Sequence, residues 1–212
     1  YMVICLSNIA MLHFSLKAGG RTLPEAALRR ARDLWRLVRT MTCEDGRLLR
    51  IGGDSRARYC YCQDFALPVW AMAEDLFSED CEHLIEGWLG ILRTETGVEP
   101  GGLFLSARIG HLEPRTPVYY LRLESDRANS ISMLLYWKML HGFSGGAQPE
   151  PLAEWSDSWH GAAFTHTGGR YASFVWHASE KPQALCLPDD DSSLAEWRYN
   201  LCGRVEGAGC VN

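Results

Sequence analysis

Apolar residues recur at three- and four-residue intervals over the first two thirds of the chain and at every second residue beyond, which predicts helices first and strands afterwards. The opening run Tyr1–Leu16 is predominantly apolar, too short for a membrane span and without the basic start of a signal peptide. It reads as a core helix entered partway, and with Tyr in first place the expectation is a fragment or a processed product. Thr22-Leu23-Pro24-Glu25 has the form of a capping box with proline at the first helical position. Behind it Ala27, Ala31, Leu34, Trp35, Val38 and Met41 form an apolar stripe, and Arg29, Arg32, Arg36 and Arg39 line an opposite, solvated face. Glu44-Asp45-Gly46 is a turn, and Arg47–Tyr61 reads as non-helical, with a short strand through Leu48, Leu49 and Ile51 broken by Gly52-Gly53-Asp54. A helix resumes near Pro68 with Val69, Met72, Ala73, Leu76 and Phe77 on one face. Ser78 is the predicted cap of the next helix, which carries Cys81, Leu84, Ile85, Trp88, Ile91 and Leu92 and ends at Gly97. After a loop to Arg115, Thr116-Pro117 opens a long helix with Val118, Leu121, Ala128, Ile131, Leu135 and Met139 as its apolar stripe and Gly142 as its stop.

The composition shifts at Gly142–Pro151, where Gly, Ser, Gln and Pro cluster as a linker. Past it, His160–Thr167 and Arg170–Ala178 flank Gly168-Gly169, a hairpin signal. Gln183–Leu187 and Glu196–Val205 supply further strands. The predicted fold class is α+β. Helical hairpins, an incomplete α/α toroid, occupy residues 1–145, and a small antiparallel β region, itself incomplete, occupies residues 146–212.

Charge and composition narrow the function. The net charge is −5 with 47% hydrophobic and 22% charged residues, which excludes a disordered tail, a collagen-like repeat and a strongly basic nucleic-acid binder. Arginine outnumbers lysine 18 to 3, favouring bidentate contacts with carboxylates, sulfates or phosphates. Eight tryptophans offer faces that suit sugar rings as well as cores. Eight scattered cysteines include no C-x-x-C and no zinc spacing, and no dinucleotide, phosphate-loop or nucleophile-elbow motif is present. Neither a metal nor a cofactor is expected.

Two polar constellations could carry chemistry. The first is the stretch Gly52–Asp64, in which extended geometry would place Arg56, Arg58, Cys60 and Cys62 on one side and Tyr59, Tyr61 and Gln63 on the other. The second is Tyr120, Glu124 and Arg127, one turn apart on the long helix. His160, His166 and His177 lie in or beside the hairpin, with His160 next to Trp159 at its start.

Helical hairpins, an Arg/Tyr-rich loop between helices and a β region opened by Trp155-Ser156-Asp157-Ser158-Trp159-His160-Gly161 resemble the toroid-plus-β-sandwich polysaccharide lyases, the heparinase II/III-like group among them. The resemblance implies β-elimination on a uronate polysaccharide or oligosaccharide, and a secreted or periplasmic location. In such a reaction donors neutralise the sugar carboxylate, a base removes the C5 proton, and an acid protonates the leaving oxygen. Carried over, Arg56 or Arg58 would bind the carboxylate, Tyr59 or Tyr61 would act as acid or base, and His160 would be a second base. The candidate substrate-binding set is Arg56, Arg58, Gln63, Asp64, Tyr120, Glu124 and Arg127. Two alternatives stand beside it. A toroid glycoside hydrolase would need a carboxyl pair from Asp64, Glu124 and Asp54, and a non-catalytic module would bind glycan or a partner through Trp, Tyr and Arg. No nucleic-acid partner and no membrane span are expected. Packing further predicts that the Arg56–Asp64 segment and the Tyr120–Glu124–Arg127 face border the same cavity, with at least one arginine of the loop paired to Asp54, Asp64 or Glu124 beside a concave surface.

Overall fold

A computed structural model describes residues 2–49, 59–97, 102–143, 145–147, 152–177 and 183–190. The helices are α1 (Met2–Ala18), α2 (Glu25–Thr40), α3 (Tyr59–Asp64), α4 (Ala66–Met72), α5 (Glu82–Gly97), α6 (Ser106–Ile109) and α7 (Pro117–His141). A π-helical turn at Ala73–Phe77 prolongs α4, and a 3-10 turn at Gly110–Leu112 prolongs α6. The strands β1 (Glu154–Asp157), β2 (Ala162–Thr167), β3 (Arg170–Val175) and β4 (Gln183–Pro188) pair in chain order as an antiparallel meander. The class is therefore α+β, with the helices preceding the sheet.

The helical body is organised around α4, every residue of which is buried between α1 and α7. Its Trp70, together with Trp35 of α2 and Trp88 of α5, is fully enclosed. Burial of one such ring removes roughly 150–250 Å² from water, about 4–6 kcal/mol apiece, so these three anchor the core. Gly46 lets the α2–α3 connection pass close by: at φ +84° a Cβ there would stand 2.6 Å from the Leu84 carbonyl oxygen and 2.9 Å from the Trp70 ring. A second cluster joins the sheet to the helices, with Phe164, Tyr171, Leu185 and Leu187 meeting Leu37, Met41, Cys43 and Leu49. The crossing between the two regions is tethered, since Gly146 and Ala147 donate to the Ser78 carbonyl and Leu152 donates to Thr40 Oγ1 at 3.0 Å.

Several local expectations are corrected. The Thr22 capping box does not form. Helix α2 starts from Pro24, whose carbonyl accepts from Ala27 and Leu28, with no side-chain cap. Arg39 is not on a solvated face but 7% exposed, because it lies against the start of α5 and the turn after α2, within 3.4 Å of His83 Nε2 and 3.5 Å of the Thr42 carbonyl. Of the predicted strand, Leu48 forms a bridge with Thr42 and Ile51 lies outside the described residues. Residues 59–64 are helical rather than extended, and α4 begins at Ala66, two residues before Pro68. Ser78 ends the π turn in the left-handed region, φ 57°, and the start of α5 is instead capped by Asp80, whose Oδ1 accepts from the Glu82 N–H at 3.1 Å. The loop to Arg115 holds α6 and the 3-10 turn, where Leu105 and Ile109 pack on Tyr120 and Leu123. The strand expected at Glu196–Val205 lies outside the described residues. Among the described residues no helix is long and apolar enough to cross a membrane.

Candidate functional site

The candidate residues divide between the helical body and the sheet. In the body, Asp64 at the end of α3 faces Arg127 in the middle of α7. Arg127 Nε donates to both Asp64 carboxylate oxygens at 2.9 Å, and both side chains are fully buried. Arg127 Nη1 also donates to Glu95 Oε2 at 2.8 Å and to the Phe104 carbonyl at 3.2 Å, while its guanidinium sits 5.7 Å from the centre of the Trp88 ring. One turn earlier, Glu124 receives the Tyr120 hydroxyl at 2.8 Å and the backbone N–H groups of Phe104 and Leu105 at 2.9 and 2.8 Å. Gln63 accepts from the Leu48 N–H and donates to the Gly46 carbonyl, both at 2.8 Å. The end of α3 and the Tyr120–Glu124–Arg127 face thus meet, but the arginine paired there is Arg127 of the helix rather than one of the expected loop arginines, and the pair is fully enclosed instead of bordering a cavity.

The chemistry of this meeting point is that of a brace. Two carboxylates already consume the Arg127 charge, and Glu124 and Gln63 spend their polar atoms on loop backbone, fixing residues 46–48 and 104–105 against the helices. Asp64, with no exposed surface, is not placed to activate a water or touch a sugar. Tyr59 and Tyr61 belong to α3, and Arg56 and Arg58 lie outside the described residues.

The sheet presents a different environment. Its outer face is an open depression of about 670 Å³ whose lining includes Glu154, Ala163, Thr165, Ala172, Phe174 and Cys186. The cross-strand register places Ala163, Phe174 and Ala184 side by side, so Phe174 stands 46% exposed among small neighbours. Its ring stacks on Trp176 with centroids 5.8 Å apart, and the Trp176 N–H bonds the Gly161 carbonyl at 2.7 Å, beside the β1–β2 turn. That turn carries Trp159, 87% exposed, and His160. Asp157 organises it: Oδ1 accepts from the backbone N–H groups of Trp159 and His160, and Oδ2 lies 2.7 Å from His160 Nδ1.

The His160 hydrogen bond, with the backbone donors behind it, holds the Asp157 carboxyl below the usual carboxylate range. An ionised Asp157 accepts from Nδ1–H, which in the neutral tautomer puts the lone pair on Nε2, and the ring is 69% exposed. His166 and His177 do not join it. The first stacks on Tyr171 at 4.0 Å on β2, and the second follows β3. Among the described residues no group of His, Cys, Asp or Glu is placed to hold a metal ion.

Three contributors escaped the sequence reading. Glu95 gives no local signal, since only the tertiary approach of α5 brings it to Arg127. The Phe174–Trp176 stack follows from strand parity, which was legible. Asp157 was legible too, as an Asp three residues before His at a strand end, a side chain suited to accepting from the following turn. No family model, no curated protein and no solved structure matches the chain.

Proposed function

We infer that the chain is part of a carbohydrate-active protein and takes an oligosaccharide or polysaccharide across the outer face of its sheet. The observation that carries this reading is the outer face of the sheet, where Phe174 stands exposed over a floor of small residues with Trp176 stacked on its ring, while Trp159 is exposed on the β1–β2 turn. Sugar rings present apolar C–H faces that stack on such rings, while the polar groups of Glu154 and Thr165 suit hydroxyls. Binding of defined neutral and uronic-acid oligosaccharides, followed by tryptophan fluorescence and calorimetry, tests it. Trp159→Ala and Phe174→Ala are each expected to weaken binding about tenfold, ~1.4 kcal/mol. Absence of binding across both classes by the parent protein sinks the reading.

A second reading adds catalysis by β-elimination on a uronate polymer, in line with the resemblance to polysaccharide lyases. What favours it is the Asp157–His160 pair on the β1–β2 turn, in which the carboxylate holds the imidazole through Nδ1, the geometry of a general base oriented by a carboxylate. Arg127 is engaged inside the fold, so neutralisation of the sugar carboxylate would fall to Arg56 or Arg58. His160→Ala is expected to abolish formation of unsaturated product while leaving binding within about twofold, a difference under ~0.5 kcal/mol. Product formation undiminished by that substitution excludes His160 as the base.

A further inference from the structure

Helix α7 buries the stripe of Tyr120, Leu123, Arg127, Ser130, Leu134 and Trp137 and turns its other, more hydrophobic stripe outward. Val118, Leu121, Leu135 and Met139 are 81, 62, 58 and 78% exposed, and Tyr136 and Leu140 beside them are 61 and 51% exposed. The one charge on this face, Arg122, is paired with Asp126 of the same helix at 3.4 Å. Six large apolar side chains more than half exposed on one helix offer several hundred Å², on the scale of the ~800 Å² per partner that a standard interface buries.

The order of residues along the stripe says what covers it. Val118 and Met139, Leu121 and Tyr136, Ser125 and Ser132, and Ala128 and Asn129 are four pairs, each centred on the same point between residues 128 and 129. That point lies half a residue from Asn129, the middle of the 25-residue helix. Helical spacing puts all of them on one face. An antiparallel copy of α7, related by a two-fold axis through this midpoint, sets Val118 against the other copy's methionine and Leu121 against its tyrosine. The small residues Ser125, Ala128, Asn129 and Ser132 then lie at the crossing, where helix axes can approach to about 8 Å. A surface complementary to itself under a two-fold rotation is the requirement of an isologous dimer.

We propose that the outward face of α7 is the two-fold contact of a homodimer, occupied by α7 of a second copy of this chain. Sedimentation velocity and light scattering over a concentration series test it. The parent chain is expected to show twice the monomer mass, and Leu121→Glu or Tyr136→Arg, each at an exposed position, to halve that mass with unchanged circular dichroism. The double variant Leu121→Glu/Tyr136→Arg restores the dimer, because each new carboxylate then faces a new guanidinium across the axis. Positions fifteen residues apart on one helix cannot make that pair within a single copy. A parent chain that stays monomeric at hundreds of micromolar overturns the proposal, as it would if another protein or another segment covered the face. So does a dimer that survives either single substitution, or a double variant that remains monomeric.

Discussion

At the scale of single residues, the pair of Arg127 and Asp64 governs the helical body. Both side chains are fully buried, so the attraction between them offsets two desolvation penalties, and removal of one partner strands the other. Asp64→Asn is expected to lower the unfolding free energy by about 3–5 kcal/mol. The paired change Asp64→Leu/Arg127→Met is expected to recover most of that loss, because a well-packed apolar pair does not leave a charge uncompensated. Urea denaturation of the three variants decides it, and a double variant as unstable as the single would assign the brace a role beyond charge neutralisation. Glu74 runs the opposite way. Its carboxylate, with no exposed surface, lies 3.6 Å from Lys138 Nζ, and Lys138 is itself bonded to Glu82. Burial, only partly opposed by Lys138, raises the Glu74 pKa above the ordinary value of 4.5. A raised carboxyl favours the protonated fold, so its contribution is fully present below 4.5 and is lost as pH rises through the folded-state value. Glu74→Gln is therefore expected to raise the melting temperature at neutral pH, with the gain disappearing as the buffer is taken below pH 4.5.

At the scale of elements, the π turn is where α1 and α4 are fastened together. A π-helical turn shifts side chains round the axis relative to the α-helix before it, and here it presents Asp75 to His13 and Lys17 of α1, the former at 2.7 Å. Although burial acts against ionisation most strongly, the Lys17 and His13 hydrogen bonds outweigh it and hold the Asp75 carboxyl below 3.8. The sign is thus opposite to that of its neighbour Glu74. The stabilisation from Asp75 is present above pH 3.8 and is lost as pH falls through the depressed value. Asp75→Asn is expected to cost about 1–3 kcal/mol at neutral pH, with variant and parent converging in acid. Thermal melts from pH 7 to pH 2 would show it, and a difference independent of pH would exclude the ion pairs as its origin. The hairpin of β2 and β3 relies on a different local device. Gly168 and Gly169 hold φ of +59° and +73°, so the two-residue turn is accessible to glycine at little steric cost.

At the scale of the whole molecule, the sheet and the helices share one interface. Phe164 and Tyr171 lie against Leu37, Met41 and Leu49, and Tyr171 stacks on His166 at 4.0 Å on the same face. Burial raises the pKa of the Tyr171 hydroxyl and of the neighbouring Cys43 thiol, each to about 12, so both remain protonated at neutral pH. A four-stranded meander with one apolar face needs a surface to cover it, and the end of α2 is that surface. Phe164→Ala is expected to cost about 3–5 kcal/mol and to lower a single transition seen identically by far-ultraviolet circular dichroism and tryptophan fluorescence. Two separated transitions would instead mean that the sheet melts independently of the helices.

The sequence by itself determined what depends on neighbours in the chain. Pro117 and Gly142 bound α7, Gly168-Gly169 sets the hairpin, alternation marks β3 and β4, and the order of helices before strands gives the α+β class. Each of these follows from backbone conformation and hydrophobic period, which are local properties. Tertiary structure decided which of two possible faces each element buries. On α7 the more hydrophobic stripe, Val118 to Met139, was the natural choice for the core, yet the helix buries the stripe containing Arg127. The reason is that Asp64 and Glu95 arrive from α3 and α5 to neutralise that arginine, and Glu124 gathers the backbone of residues 104 and 105 on the same side. Arg39 is buried for a related reason, because His83 of α5 and the turn at Thr42 and Glu44 come up against the end of α2. Periodicity reports that a face exists. Whether it meets water, another element or a second copy of the chain is decided by partners distant in sequence.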